Sequence, residues 1–455
     1  MAVEIKNSCI IKPAKPTCEG VFPFTDWDQT GMITHIPTVY FYKPSEDWIA
    51  SSKSIMNTLK ESLSHVLVHF YPLAGRVKWI GKGRLELVCN SMGVELIEAE
   101  SNGKLSDLGD FASQTHQFHD LLPFVNYDKF EELPLIIGQV TFFQCGGICL
   151  GVTISHLVAD GQSALHFMRE WARLARGETL QEAPYINHNI LRAQGMKKVQ
   201  NPYDRHSELR SPPLIIGKEN NREERLKPTG VKILPLDKDQ VKTLKSQANR
   251  EPNNHKDRPY SRYEVVAAHV WRTSCKARKH LDNQPTCLGF SIDVRSRLHP
   301  PLPPKFFGNA ILDVVAPTNA GDVTGQPLSD TCAKIREALD KVDDDYVWSN
   351  IEFFYNQPDL TPFQDLHGRM LNNGVDGPYY GNPNIGVISW LTLPIYGLDF
   401  GWGKEVYMGP GTHDYDGDCL ILPGSTNDGS VKVALCLQLA HMDAFKKHFY
   451  EDVCL

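Results

Sequence analysis

The stretch GVTISHLVADGQSALHFMREWARLARG, residues 151–177, decides how this chain is organised. Its apolar start predicts a strand that ends just before His156. Asp160 then opens an amphipathic helix, predicted over 162–176, and Gly177 stands where a helix can end. A strand, a tight turn and a helix in this order are typical of an α/β or α+β protein.

The histidine and the aspartate of this turn are candidates for chemistry. A histidine at a strand end projects into the cleft beyond the sheet, as a general base requires. A carboxylate at a helix start can accept from free backbone N–H groups and hold the turn. His156 is therefore the candidate base and Asp160 its anchor, with a histidine bonded inside the core as the alternative. The spacing alone is not specific, because His116 and Asp120 match it without the strand and the helix.

Composition limits the class of protein. The chain has 455 residues, 41% hydrophobic and 22% charged, which is typical of a globular protein of two or three domains. A net charge of −7 argues against nucleic-acid or anionic-membrane partners, because proteins bind these through an excess of lysine and arginine. The chain has no signal-like or membrane-length apolar run, and its 11 cysteines include no CxxC pair. We therefore expect reduced thiols, no metal site and a cytoplasmic location.

Residues 201–230 differ in composition from the rest, since 11 of these 30 residues are charged and four are proline. They are predicted to form an exposed crossover between an N-terminal lobe, 1–200, and a C-terminal lobe, 231–455. Strand and helix patterns are interleaved in both lobes without regular βαβ order, which predicts mixed sheets.

The segment LDFGWG, residues 398–403, is the second unusual stretch. Asp399, followed by two glycines that flank Trp402, indicates a tight loop around a packed indole. By itself such a loop is more often structural than catalytic. The chain has no GxSxG, HExxH, P-loop or GxGxxG pattern, which excludes the corresponding hydrolase, zinc-protease, kinase and dinucleotide-binding classes at the motif level.

Together, HxxxDG and DFGWG resemble the signature pair of the plant BAHD acyl-CoA-dependent acyltransferases. HIPTVYFY (35–42), LVHFYPLAGR (67–76) and DVRSRLHPPLP (293–303) are similar to further landmarks of that family, in the same order along essentially the whole chain. The resemblance implies two lobes of the chloramphenicol-acetyltransferase type with a substrate channel between them. It also implies acyl-CoA as co-substrate, no tightly bound cofactor and direct transfer with His156 as the base.

The same resemblance assigns roles to further residues. Trp390, whose indole N–H can only donate, is the candidate contact for the oxyanion. Asp399 is implied to fix its loop through an arginine, in a loop that Gly401 and Trp402 shape. Asp160 is implied to pair with an arginine of the DVRSR stretch, Arg295 being favoured over Arg297. The remaining implied residues are Ser261 and Arg262 near the coenzyme phosphates, and His35 and Tyr40 on the acceptor side.

Within the family, the chain is most similar to the branch that acylates spermidine with hydroxycinnamoyl groups, notably in WDQTGMITHIPTVYFY (27–42) and GPGTHDYDGDCLILP (409–423). Shikimate- and quinate-using relatives carry an arginine where Gly381 stands here. Such an arginine binds a carboxylate but would repel a polyammonium acceptor.

Three aspartates near the C-terminus could meet a cationic acceptor. Asp414, Asp416 and Asp418 alternate, so an extended backbone would place all three on one face. A solvated turn is the alternative. The sequence thus predicts a monomeric enzyme that makes hydroxycinnamoyl spermidine amides. A different amine or alcohol acceptor, and a non-catalytic binding protein, are the alternatives, with shikimate-like acids less favoured.

Overall fold

The computed structural model describes residues 1–44, 51–109, 111, 115–192, 206, 209, 222–250, 258–365, 381–411, 415–426 and 428–453. Its strands, in chain order, are β1 (Val3–Ile11), β2 (Gly20–Phe22), β3 (Gly31–Met32), β4 (His35–Tyr42), β5 (Arg76–Gly81), β6 (Arg84–Cys89), β7 (Val94–Ser101), β8 (Ile136–Phe143), β9 (Ile148–Ser155), β10 (Thr229–Leu236), β11 (Pro285–Asp293), β12 (Ile311–Asn319), β13 (Gln364–Asp365), β14 (Ile385–Ser389), β15 (Tyr407–Pro410), β16 (Asp418–Pro423) and β17 (Val431–Gln438).

The helices are α1 (Ser52–His69), α2 (Gly161–Ala175), α3 (Arg222–Arg225), α4 (Lys238–Ala248), α5 (Arg262–Ala277), α6 (Ala320–Gly325), α7 (Leu328–Asp340), α8 (Asp344–Tyr355) and α9 (Leu439–Glu451). The predicted strand–turn–helix unit is present as β9 and α2. Gly177 follows α2 with φ +76°, a left-handed conformation that glycine adopts without strain.

Two six-stranded sheets organise these elements. The first has the order β1-β7-β8-β9-β4-β15 and the second β10-β17-β16-β14-β11-β12. Each sheet mixes parallel and antiparallel pairs: β7–β8, β11–β14 and β14–β16 are parallel, and the other pairs are antiparallel. The predicted α/β class with mixed sheets in two lobes is confirmed.

The lobes are not contiguous in sequence. Tyr407 in β15 pairs with Phe41 in β4, so a strand from the predicted C-terminal lobe closes the edge of the first sheet. Phe400 and Trp402 are likewise buried in the core of the first lobe. The C-terminal lobe predicted as 231–455 therefore includes residues that pack in the first lobe. A boundary based on composition cannot detect a strand pair between distant parts of the chain.

Only part of the predicted crossover, 201–230, belongs to the described residues. His206 is buried and donates to or accepts from Ser349 Oγ at 2.7 Å. Thr229 already pairs with Gln438 as the first residue of β10, so the crossover ends before the predicted boundary. The remainder lies outside the described residues.

Helices cover each sheet and form the cores. α1 and α2 pack together on the first sheet, where Trp171 is 1% exposed and donates to Ser62 Oγ at 3.1 Å. α5 packs on the second sheet with most of its residues buried. The ten cysteines that the structure places are all free thiols. Across the described helices, none combines the length and the apolar character needed to cross a bilayer.

Candidate active site

A cavity of about 1350 Å³ lies between the two lobes, and His156 lines it. Its walls are the start of β4, the helix α2, the segment 388–399 and one face of the second sheet. The predicted channel between lobes corresponds to this space. Across the part of the chain that the structure describes, no group of three or more His, Cys, Asp or Glu side chains is arranged to bind a metal.

The backbone of His156 is held from both lobes. Its N–H donates to Thr34 O at 2.8 Å, and Asn309 Nδ2 donates to His156 O at 2.7 Å. Asn309 also donates to Leu157 O at 3.1 Å. The histidine therefore lies directly after β9, on a turn that is hydrogen-bonded to segment 306–310. Its half-buried side chain lines the cavity.

Asp160 anchors that turn. It is 1% exposed, and its carboxylate pairs with Arg295 Nη1 at 2.7 Å. It also accepts from Ser163 N at 2.9 Å and from Ala310 N at 3.0 Å. Burial alone would raise the pKa of Asp160, but Arg295 and the backbone donors outweigh it and hold the pKa below its ordinary value. Asp160 is thus a charged structural group rather than a proton carrier.

Of the two arginines considered for this pairing, Arg295 makes the contact. Arg297 instead donates to Leu339 O at 3.1 Å and Val342 O at 2.6 Å. Arg295 also approaches Asp293 at 3.4 Å, so its charge is compensated from two sides.

Sequence reasoning did not identify Asn309 and Ser163 as site residues. Ser163 Oγ accepts from Gly308 N at 3.1 Å, and it lies 2.9 Å from Gly308 O. A Cβ atom on Gly308 would lie 2.3 Å from the ring of His188, so this position has room only for glycine. The residues stand in the segment FFGNA (306–310), but the sequence does not show which lobe this segment contacts.

Trp390 follows β14 and lines the cavity with a half-buried side chain. Its backbone N–H donates to Ile421 O at 2.8 Å. Among the described residues no acceptor pairs with its indole N–H, so this donor is available to a substrate oxygen.

The LDFGWG loop is fixed by its own aspartate. Asp399 Oδ1 accepts from Gly401 N at 2.7 Å and Gly403 N at 3.0 Å. The two glycines have φ +103° and +93°, which other residues adopt only with strain. Trp402 packs against Tyr42 at the core of the first lobe. The expected arginine is Arg176, but it donates to the backbone carbonyl of Asp399 rather than to the carboxylate.

His35 and Tyr40 both line the cavity. His35 is 8% exposed, and its ring nitrogens contact Tyr127 Oη at 3.2 Å and Pro134 O at 2.9 Å. Burial lowers the pKa of His35 to about 4, so the ring is neutral near pH 7. Tyr40 is 1% exposed and burial raises its pKa. Both residues are therefore neutral parts of the wall.

Ser261 and Arg262 do not line the cavity. Ser261 caps α5, where its hydroxyl accepts from Glu264 N at 3.3 Å. Arg262 is half-buried beside it. Their approach to coenzyme phosphates stays a prediction.

The three alternating aspartates are not arranged as predicted. Asp414 lies outside the described residues. Residues 415–417 form a turn, not an extended strand, because Gly417 adopts φ +87°. Asp416 is 1% exposed and pairs with Arg278 Nη2 at 2.8 Å, so it supports the turn. Asp418 begins β16 and lines the cavity.

Charged side chains of both signs line the cavity. Arg169 and Arg173 lie on α2 and Arg176 directly after it, and the same helix contributes Glu170. Arg173 and Arg176 pair with Glu178, and Lys305 pairs with Glu182. The facing sheet contributes Asp293, Asp313 and Asp418. Apart from these four cations, the described lining contains one more lysine or arginine, Arg295, which Asp160 neutralises.

An HxxxDG turn with a histidine in a cavity between two mixed sheets defines the class of coenzyme A-dependent acyltransferases. The family model described as "Transferase family" matches residues 1–452. The chain belongs to this family, the BAHD acyltransferases, and is an enzyme that transfers acyl groups from coenzyme A thioesters.

Curated relatives match along their whole length. The chain is 43% identical to hydroxycinnamoyl-CoA:piscidic acid hydroxycinnamoyltransferase of Actaea racemosa, covering 99% of both chains. It is 39% identical to shikimate O-hydroxycinnamoyltransferase of Nicotiana tabacum, covering 99% of this chain and 100% of that one. It is 36% identical to hydroxycinnamoyl-CoA:5-hydroxyanthranilate N-hydroxycinnamoyltransferase of Avena sativa, covering 98% and 99%.

Solved structures share the fold. Vinorine synthase superposes with a TM-score of 0.72 at 24% identity, over 97% of this chain and 96% of that one. TRI101 of F. sporotrichioides, complexed with coenzyme A and T-2, superposes with a TM-score of 0.76 at 16% identity, over 94% and 97%.

Proposed function

We propose that the enzyme transfers a hydroxycinnamoyl group from its coenzyme A thioester to amine nitrogens of spermidine. The donor is supported by relatives whose names specify hydroxycinnamoyl transfer, at 43%, 39% and 36% identity. Transfer to nitrogen has a precedent in the name of the Avena sativa relative.

The carboxylates that the second sheet contributes to the cavity are the observation that supports a cationic acceptor. Coenzyme A is a polyanion, and Arg169, Arg173 and Arg176 lie along the α2 side, where Arg173 and Arg176 also pair with Glu178. The strands of the second sheet contribute Asp293, Asp313 and Asp418 to the lining and, among their described residues, no lysine or arginine. A carboxylate acceptor would be repelled there, whereas an ammonium group would be attracted.

The proposed mechanism is direct transfer in a ternary complex. His156 removes a proton from the attacking nitrogen as the nitrogen bonds to the thioester carbon. The carbonyl oxygen becomes an oxyanion, to which the indole N–H of Trp390 donates. When the intermediate collapses, the C–S bond breaks and His156 returns the proton to the thiolate. No acyl-enzyme forms on this route.

An amine acceptor must be neutral at the reacting nitrogen. Alkylammonium groups have a pKa of about 10, so almost none of the acceptor is in the neutral, nucleophilic amine form at pH 7. Carboxylates beside that nitrogen would raise its pKa further. The proposal therefore places the carboxylates at the distal nitrogens and the reacting nitrogen in the apolar surroundings of His35, Ile36 and Tyr40.

The test is acyl transfer by the purified enzyme from p-coumaroyl-CoA or feruloyl-CoA, with mass spectrometry counting acyl groups on the product. Spermidine should be acylated with far higher kcat/KM than shikimate. Preference for shikimate would refute the cationic acceptor.

The role of His156 has its own test. His156→Ala should remove essentially all transfer to any acceptor, because a positioned base contributes about 10²–10⁴-fold in rate. The variant should fold normally, since the contacts of residue 156 with Thr34 and Asn309 are made by its backbone. Substantial remaining turnover would refute the assignment.

A hydroxy acid or alcohol acceptor is the second candidate. The names of the relatives at 43% and 39% identity, which specify piscidic acid and shikimate, favour it. The same His156 chemistry would then act on a hydroxyl. A higher kcat/KM with a hydroxy acid than with spermidine would favour this candidate.

We further propose that the enzyme acts as a cytoplasmic monomer. The cavity is lined from both lobes of one chain, and the ten described cysteines are free, as suits a reducing compartment. A dimeric mass by light scattering, with activity that falls on dilution, would contradict the monomer.

A further inference from the structure

A buried histidine and a buried aspartate form a pair behind the turn that carries His156. His188 is 2% exposed, and its Nδ1 lies 3.1 Å from Oδ2 of Asp28, which is also 2% exposed. The other ring nitrogen, Nε2, lies 2.7 Å from Phe307 O. Neither His188 nor Asp28 lines the cavity, so the mechanism above does not use them.

Both ring nitrogens of His188 face acceptors. A backbone carbonyl can only accept, so the nitrogen beside Phe307 O carries a hydrogen. Asp28 Oδ2 accepts from Thr25 N and from Thr25 Oγ1, each at 2.8 Å, as an ionised carboxylate does. The nitrogen beside it therefore carries a hydrogen as well. His188 is thus an imidazolium ion paired with a carboxylate.

The charges around His188 favour the same protonation state. Burial alone would lower the pKa of this histidine. The charge and hydrogen bond of Asp28, the carbonyl of Phe307 and the charge of Asp160 outweigh burial and hold the pKa above its ordinary value of 6.5. The ring also packs against two uncharged aromatic rings, those of Phe22 and Phe306.

The pair joins the two chain segments that hold the backbone of His156. One segment contains Thr34, whose carbonyl accepts from His156 N–H, and Asp28 lies six residues before it. The other contains Asn309, whose amide donates to His156 O, and Phe307 lies two residues before it. Because the imidazolium donates to both segments, it ties one to the other.

The imidazolium also packs directly on the second of these segments. A Cβ atom on Gly308 would lie 2.3 Å from Cε1 and 2.4 Å from Nε2 of His188. Gly308 N donates to Ser163 Oγ at 3.1 Å, and Ser163 N donates to Asp160 at 2.9 Å. A shift of the ring would therefore move the backbone that holds the turn of His156.

We propose that His188 and Asp28 are positioning residues for the base His156. Their ion pair fixes the two holding segments relative to each other, and so fixes the place of the imidazole of His156, without touching a substrate. A general base is effective only when it is held within hydrogen-bond reach of the proton that it removes. This assignment rests on His156 being the base, as proposed above, and not on the identity of the acceptor.

The experiment measures transfer from p-coumaroyl-CoA by His188→Ala, with spermidine or shikimate as acceptor, whichever the wild type acylates faster. The kcat should fall by roughly 10- to 100-fold, because a displacement of about 1 Å at the reacting groups can cost about 10²-fold. The KM values for acyl-CoA and acceptor should stay within about twofold, since His188 lies outside the cavity wall.

His269→Ala is the matched control. His269 is 1% exposed, its Nε2 lies 2.9 Å from Phe449 O, and it does not line the cavity. This variant removes a buried histidine of the same kind, and its kcat should stay within about twofold of wild type even where the melting temperature falls. If His188→Ala does not fold, His188→Gln, which keeps an N–H donor but no charge, should show the same loss of kcat.

The pH dependence of kcat separates positioning by charge from a purely structural role. Asp28→Asn removes the carboxylate that holds the proton on His188, and burial should then leave the ring neutral near pH 7. The ratio of the wild-type kcat to that of Asp28→Asn should be steady near neutral pH. It should fall as the pH rises through the folded pKa of His188, where the wild type loses its ion pair as well. A ratio independent of pH would contradict the role of the charge.

The outcomes separate this proposal from the base assignment. If His156→Ala is inactive but folded His188→Ala keeps the wild-type kcat, the positioning role is refuted and the base assignment stands. If His156→Ala keeps substantial turnover, both are refuted. If the wild type acylates neither acceptor, the same comparisons are made on the release of thiol by hydrolysis of p-coumaroyl-CoA.

Discussion

Asp160 shows how much one buried carboxylate can organise. It caps α2 through Ser163 N, accepts from Ala310 N and neutralises Arg295. The latter two contacts come from the other lobe, so this residue joins the lobes beside the base. A buried ion pair as a whole adds little to stability, but removal of one partner leaves the other charge buried and uncompensated.

Asp160→Ala should therefore destabilise the protein by about 3–5 kcal/mol. Urea denaturation measures this free energy of unfolding. Asp237→Ala is the control, because Asp237 caps α4 in the same way but is exposed and accepts only from backbone N–H groups. That change should cost about 1 kcal/mol. Equal losses in the two variants would contradict the importance of the ion pair.

The same carboxylate predicts a pH dependence. The pKa of Asp160 in the folded protein lies below its ordinary value of 3.8, because Arg295 and the backbone donors outweigh burial. Its charge thus contributes stability that is complete above the unfolded pKa and is lost as the pH falls through the folded pKa. The stability difference between wild type and Asp160→Asn should be constant near pH 7 and shrink below pH 3.8. A difference that grows on acidification would contradict this sign.

At the scale of elements, the LDFGWG loop is held by its own hydrogen bonds and is packed against a distant part of the chain. Asp399 accepts from two backbone N–H groups of its own loop, and the glycines supply the positive φ that this geometry needs. The buried indole of Trp402 then fastens the loop to the first lobe. The motif is thus explained by backbone geometry and packing.

Gly403→Ala should destabilise the protein by about 1–3 kcal/mol, through backbone strain alone. Gly403 has φ +93°, and an added methyl group would meet no atom within 4 Å. Gly325 is the matched control, since it has the same open space and no positive φ. Gly325→Ala should change stability by less than about 1 kcal/mol. Thermal melting measures both, and similar shifts would refute the strain argument.

Sequence analysis did not predict several elements, among them α8 and β12. The acidic residues 343–345 begin α8, where Asp343 accepts from Tyr346 N at 2.8 Å. Acidic residues favour the start of a helix. Whether such residues begin one helix or end another depends on whether the apolar face continues after them or before them. β12 was missed because it lies at a sheet edge with Pro317 inside it, where proline is tolerated.

At the scale of the whole molecule, the return of β15 to the first sheet couples the lobes. Tyr407, Phe400 and Trp402 are buried in the first lobe although they follow most of the second lobe in sequence. Neither lobe can complete its core from one continuous half of the chain. The channel walls are therefore held in one relative position by shared packing.

The full chain should accordingly unfold in a single thermal transition. Calorimetry should give equal calorimetric and van't Hoff enthalpies, since the first lobe cannot complete its core without β15, which follows most of the second lobe in sequence. A fragment of residues 1–230 lacks that strand and should not melt cooperatively. Two well-separated transitions in the intact protein would refute the coupling.

The sequence by itself determined the strand–turn–helix around His156, the class of fold and the family, because these depend on local periodicity and on short motifs. Only the tertiary structure decided that Arg295 rather than Arg297 meets Asp160, that Asp416 supports a turn, and that Asp313 lines the cavity. The physical reason is the same in each case. Pairing between strands that are distant in sequence decides which side chains lie on the same face of a sheet. It therefore brings together residues that are far apart along the chain.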